Sequence, residues 1–115
     1  MGPTMARTKR QVVEDEIFER QVLICKAFAN STRLRMLDLL GDRDWSAGAL
    51  QKALGVSKAN LSQHVTVLKA AGVIVRRRQG RTVFFSLSMP EVKQACHLIQ
   101  RVLRAQIRNQ KKLAI

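Results

Sequence analysis

Residues 46 to 88 fix most of what this chain can fold into. Ser46 can cap a short helix that runs to Leu54, Gly55 supplies a tight bend, and Ser57 caps a second helix that ends near Gly72. In that second helix Leu61, Val65 and Leu68 share one side, while positions 58, 59, 62, 63 and 66 fall on the other. Two strand-like runs, 73–79 and 81–87, follow around Gln79-Gly80, a turn where glycine can take positive φ. Val83, Phe85 and Leu87 alternate on one strand face, and the hairpin tip reads Arg76-Arg77-Arg78-Gln79-Gly80-Arg81. A short helix, a glycine turn, a capped helix and a basic hairpin match an element that enters a DNA groove beside a phosphate-gripping wing.

The flanking segments read as helices. Residues 1–11 look like a flexible basic arm, disordered or loosely helical, and residues 109–115 like a basic C-terminal tail, leaving 12–108 as one domain. From Val12 to Ala29, Val13, Ile17, Ile24 and Phe28 form one apolar stripe and Phe18, Val22, Cys25 and Ala29 the next. Two adjacent stripes exceed what a small core requires, which points to an interface. Asn30 caps a helix from Ser31 to Leu40 that Gly41 stops, and Asp42-Arg43-Asp44 forms a polar turn. Pro90 suits the first turn of a last helix, with Ser88 as its cap and Val92, Cys96, Ile99 and Leu103 as its stripe.

Charge narrows the function. Twenty-one Lys and Arg against 8 Asp and Glu leave +13 on 115 residues, which favours polyanionic partners. The acids gather at Glu14, Asp15, Glu16 and Glu19 and at Asp38, Asp42 and Asp44, so one face is expected toward nucleic acid and another away. No run of 18 apolar residues spans a membrane, and the first residues lack an apolar signal core, so a cytoplasmic protein is expected, with Met5 a candidate start. Two cysteines make no disulfide scaffold. Enzymatic activity is disfavoured. Ser62 and His64 stand two apart on one helix and diverge, and no glycine-rich phosphate loop follows a strand. A non-specific architectural or RNA-binding role fits less well, since the reading face carries Ser, Gln, Asn and Thr rather than stacking aromatics.

The candidate DNA contacts follow from these faces. Lys58, Ser62, Gln63 and Thr66 are expected to face the major groove, with Ser57 and Asn60 at the helix start near phosphates or base edges. Gln63 is the candidate for direct readout, because an amide pairs bidentately with adenine. His64 falls between the buried and exposed sides, as a packing or phosphate-contacting residue. Arg77, Arg78 and Arg81 are expected on phosphates or in a minor groove.

Three segments give the chain a family resemblance: Lys26-Ala27-Phe28-Ala29-Asn30-Ser31-Thr32-Arg33-Leu34-Arg35-Met36-Leu37; Ala53-Leu54-Gly55-Val56-Ser57 through Leu61-Ser62-Gln63-His64-Val65; and Ala70-Ala71-Gly72-Val73 into the wing. In that order and spacing the chain resembles the ArsR/SmtB family of winged helix-turn-helix transcriptional repressors. The resemblance covers roughly residues 12 to 105. It implies a mainly α fold with a small β-hairpin wing, in the order α-α-α-α-β-β-α, paired as a homodimer through the first and last helices. It also implies a repressor bound to double-stranded operator DNA and released by an inducer. Ser31 stands where the family often has proline.

Metal-sensing relatives carry cysteines in the short helix, where this chain reads Trp45-Ser46-Ala47-Gly48-Ala49-Leu50. In the last helix only Glu91 and His97 resemble the zinc ligands of such sensors, so neither a resident metal nor a cofactor is expected. Cys25 and Cys96 lie on stripes that the implied architecture brings together. They are a candidate pair for sensing an oxidant, a persulfide or arsenite. The alternatives are plain packing cysteines in a regulator that is non-inducible or differently induced, by heme or a metal for example.

Overall fold

The computed structural model describes residues 6–113, in the order α1 (Lys9–Phe28), α2 (Ser31–Asp42), β1 (Trp45–Ser46), α3 (Ala47–Leu54), α4 (Lys58–Ala70), β2 (Ile74–Gln79), β3 (Thr82–Leu87) and α5 (Pro90–Leu113). Short polar side chains set four of the helix starts. Thr8 Oγ1 accepts from the Gln11 amide at 3.2 Å while Gln11 Oε1 accepts from the Thr8 amide at 2.9 Å, a reciprocal box that opens α1. Asn30, Ser46 and Ser57 accept in turn from the amides of Arg33, Ala49 and Asn60. Gly55 closes α3 in the left-handed region at φ 67°, a conformation that costs other residues a Cβ clash.

Several expectations need correction. The helix α1 begins at Lys9 rather than Val12 and takes in residues 9–11 of the arm; Lys9-Arg10-Gln11 carries no apolar residue by which periodicity could extend the helix. The proposed start at Met5, with the rest of 1–5, lies outside the described residues. At the other end, residues 109–113 continue α5 rather than forming a separate tail. Gly41 does not stop α2, which runs on to Asp42; its backbone stays helical, and the Lys93 side chain packs over it. Ser88 does not cap α5, since its Oγ is buried without a hydrogen-bond partner among the described residues.

The sheet has three strands rather than two, in the antiparallel order β1-β3-β2. The additional strand pairs Trp45 with Phe85 and Ser46 with Phe84. Two residues are too few to show alternation. The strand is held by its aromatic ring: Trp45 Nε1 donates to the Leu39 carbonyl at 3.0 Å, and the Arg43 guanidinium lies 3.8 Å from the ring centroid.

One core sits where α2, α3 and α4 meet the sheet. Met36, Leu37, Leu50 and Leu68 are fully enclosed, with Leu61, Val65, Ile74 and Phe85 around them. Among the described residues α1 contributes only Ala27 to the buried set, and α5 only Val92. Val12, Val13, Ile17, Phe18 and Val22 on α1, and Leu98, Ile99, Val102, Leu103 and Ile107 on α5, remain about half exposed. The chain's radius of gyration is 18.6 Å, against about 13 Å for a compact domain of this length. The two long helices reach beyond the core.

Candidate nucleic-acid interface

Packing dictates which side of α4 is free. Leu61, Val65 and Leu68 are buried, which leaves Lys58, Ser62, Gln63 and Thr66 exposed together on the outer side, with Asn60 exposed at the first turn. The Ser57 hydroxyl is spent on the helix cap, so it presents the helix start rather than a free side chain. Thr66 Oγ1 donates to the Ser62 carbonyl at 2.9 Å, which leaves its lone pairs outward as acceptors. Gln63 makes no hydrogen bond among the described residues, so both ends of its amide are available.

Strand register sorts the wing arginines. Arg76 pairs across from Phe85 and Arg78 from Val83, the residues of β3 that face the core, whereas Arg77 pairs with Phe84 on the outer side of the sheet. Arg76 therefore joins Lys58, Ser62, Thr66 and Lys69 around a groove between α4 and the sheet. Arg78 lies one step further along the same face, and Arg81 is exposed just past the turn at Gly80. Arg77 is held elsewhere. Its Nη2 lies 3.4 Å from Asp44, its Nη1 donates to Gln79 at 2.9 Å, and its guanidinium lies 4.9 Å from the Phe84 ring centroid. The sequence reading omitted Arg76 and Lys69 from the contact set. Period-two alternation from Arg78 and the helical spacing 58, 62, 69 could have found both.

His64 is half-buried on the flank away from this groove, where its Nδ1 lies 3.2 Å from Arg33 Nη1. Burial first, and the Arg33 charge second, lower its pKa below the ordinary histidine value. This is a packing role rather than a free phosphate contact.

The cysteines occupy two separate depressions. Cys25 is exposed beside Phe18, Val22 and Ala29, and Cys96 is half-buried between α2 and α5 beside Leu37, Asp38 and His97. Burial, and then the nearby Asp38 carboxylate, push the Cys96 thiol up from its ordinary pKa. Among the described residues no group of three or more His, Cys, Asp or Glu is placed to hold a metal ion, and no helix is long and apolar enough to cross a membrane.

Comparison with known proteins agrees with this geometry. The helix-turn-helix domain family matches residues 28–77. The chain is 39% identical over 83 residues to the transcriptional activator HlyU of Vibrio cholerae, spanning 72% of this chain and 77% of the relative. It is 32% identical over 90 residues to the HTH-type transcriptional regulator Rv0081 of Mycobacterium tuberculosis, spanning 77% and 79%. The Rv0081 crystal structure superposes with a TM-score of 0.76 at 30% identity, covering 82% of this chain and 95% of that one. In fold alone, the chain is also similar to the homodimeric winged helix-turn-helix domain Mb0332 of Mycobacterium bovis, with a TM-score of 0.81 at 24% identity over 92% of this chain and 95% of that one. A capped helix with a polar outer face, a basic wing beside it and these relatives converge on one assignment: the chain belongs to the ArsR-type family of winged helix-turn-helix DNA-binding transcriptional regulators.

Proposed function

We propose that the protein acts as a cytoplasmic homodimeric repressor, binding a two-fold operator in double-stranded DNA and leaving it when an inducer acts. The observation that carries this reading is the joint placement of Lys58, Ser62, Gln63 and Thr66 on the free side of α4, with Arg76 lining the groove beside them and Arg78 on the same face of the strand. In this reading α4 enters the major groove, Gln63 reads a base edge, and the wing holds phosphates. Two copies joined through the apolar sides of α1 and α5 supply two reading heads about one helical turn of DNA apart. The homodimeric Mb0332 supports that pairing through shared fold. HlyU carries the name of an activator, so the sign of regulation needs its own measurement. Selecting duplexes from a random pool and footprinting the winners tests the reading. Paired half-sites with reduced transcription downstream are expected; selection without a consensus would defeat it.

The inducer is the finer part of the proposal. A thiol-reactive signal has an avenue, because Cys25 and Cys96 lie on the same apolar surfaces of α1 and α5 that the dimer would use. A second reading, in which the cysteines only pack, is favoured by the buried setting and raised pKa of Cys96, since the thiolate is the reactive form. DNA release measured with oxidised, polysulfide-treated and As(III)-treated protein, wild type against the Cys25→Ser, Cys96→Ser double variant, separates the two. Release confined to wild type supports sensing; identical behaviour of both leaves the cysteines structural.

A further inference from the structure

One guanidinium joins three helices. Arg33, in the first turn of α2, donates from Nε to the Ala27 carbonyl at 2.6 Å and from Nη2 to the Lys26 carbonyl at 3.2 Å. Both carbonyls belong to the last turn of α1, whose negative dipole end favours a cation; the Lys26 carbonyl also accepts from the Ala29 amide at 3.2 Å. The remaining arm, Nη1, meets His64 Nδ1 on α4 at 3.2 Å. Arginine has donors and no acceptor, so this contact exists as a hydrogen bond only if Nδ1 is unprotonated and the imidazole neutral, with its proton on Nε2.

We propose that Arg33 and His64 are a positioning pair that fixes the orientation of α4 against the end of α1, and that the pair holds only while His64 is uncharged. Neither residue needs to touch DNA. His64 lies about 200° around α4 from Ser62, away from the groove-facing side. Among the described residues the charged side chain that acts on the His64 ring is Arg33 on α2, while α1 meets the contact through backbone carbonyls; α4 itself carries Lys58 and Lys69, and β2 brings Arg76 and Arg78 to the opposite flank. All are cations, so none can hold an imidazolium in place. Protonation removes the acceptor and sets two positive groups against each other, which releases α4 from its fixed orientation. The fraction of protein ready to enter a groove then falls, and apparent affinity falls with it.

The sign distinguishes this from ordinary electrostatics. A histidine that gains charge near DNA should strengthen binding to every sequence. Loss of the positioning pair should weaken binding to the preferred sequence alone. The inference rests on the proposed reading of DNA by α4 beside its wing, which Lys58→Ala on α4 and Arg78→Ala on β2 test in the same assay.

Fluorescence anisotropy with a duplex selected by the wild-type protein, and with a scrambled duplex, should be followed from pH 7.5 to 5.5 at constant ionic strength. Wild type is expected to lose affinity for the selected duplex progressively once the pH passes below about 6.5, by no more than about tenfold at pH 5.5, and to hold or gain on the scrambled one. His64→Gln, whose amide oxygen can accept the same bond, should stay within about threefold of wild type at pH 7.5 and show a flat profile; a tenfold change is the yardstick for one proton. Long-range nitrogen NMR on the wild type at pH 7.5 should show His64 protonated on Nε2 only, a readout that stands even if a variant folds poorly. A flat wild-type profile, an unchanged profile in His64→Gln, or a proton on Nδ1 overturns the proposal. If Lys58→Ala and Arg78→Ala leave affinity untouched while the NMR result holds, it is the DNA-reading assignment of α4 that fails.

Discussion

Arg77 and Arg78 are neighbours in the chain and opposites in the sheet, and their surroundings differ accordingly. Arg77 is occupied by Asp44, Gln79 and Phe84, whereas Arg78 has no such partner among the described residues. Arg78→Ala should therefore flatten the dependence of log K on log salt by about 0.9, the value for one phosphate contact. Arg77→Ala should change that slope much less, and equal effects in a salt titration would show that Asp44 does not hold its arginine in the complex. Cys96 offers a second test at this scale. Burial and Asp38 raise its pKa above the ordinary thiol value of 9.0, so the rate of iodoacetamide labelling at Cys96 should keep climbing beyond pH 9. A plateau at or below that pH, read by mass spectrometry, would contradict the protonated setting. His64 shifts the other way: the stability that its neutral contact with Arg33 contributes is complete above the ordinary value of 6.5 and is lost as pH falls from there through the lower pKa of the folded state. A stability curve for wild type should dip there, and one for His64→Gln should not.

Among the elements, α2 shows where local rules meet packing. Gly41 has helical backbone, and a Cβ built there would meet Lys93 Cδ at 3.2 Å. The obstacle is the side chain of an exposed ion pair, Lys93 with Asp42 at 3.5 Å, which contributes little to stability. Gly41→Ala should thus gain most of the roughly 1 kcal/mol by which alanine exceeds glycine in a helix. Thermal melting measures it, and a lowered midpoint would show Lys93 to be wedged in place. The same helix marks the limit of sequence reading, which takes a glycine after a periodic run as a stop; here the following residue stays helical, with the Lys93 side chain of α5 packed over Gly41. Caps at Asn30, Ser46 and Ser57 were legible because each is a local bond to an amide three residues on. The apolar side of α4 was legible from spacing alone. β1 was not, because a two-residue strand exists only through its partner β3, and neither were the Arg33–His64 contact or the Asp44–Arg77 pair, which span 31 and 33 residues of chain.

At the scale of the whole molecule, charge and shape act together. A protomer at +13 repels its own copies, yet its α1 and α5 expose apolar residues along lengths that the core does not cover. α5 is about 36 Å long, with Leu98, Val102 and Ile99 on one side and Arg101, Arg104 and Arg108 on another. Such a helix is stable when its apolar side meets a second surface and its cationic side stays in water. Sedimentation at micromolar concentration should give about 26 kDa, twice the 13.0 kDa of the chain. Leu98→Glu with Val102→Glu should bring that mass to 13.0 kDa while helical circular dichroism persists. Retention of the doubled mass would place the contact elsewhere. Trp45 provides a means of watching the wing without any label. It is the chain's one tryptophan, joined through β3 to the hairpin and through its indole N–H to α2. Whatever tilts the hairpin against that helix, a duplex arriving included, must disturb the ring and the guanidinium lying over it, so ultraviolet emission follows the motion directly.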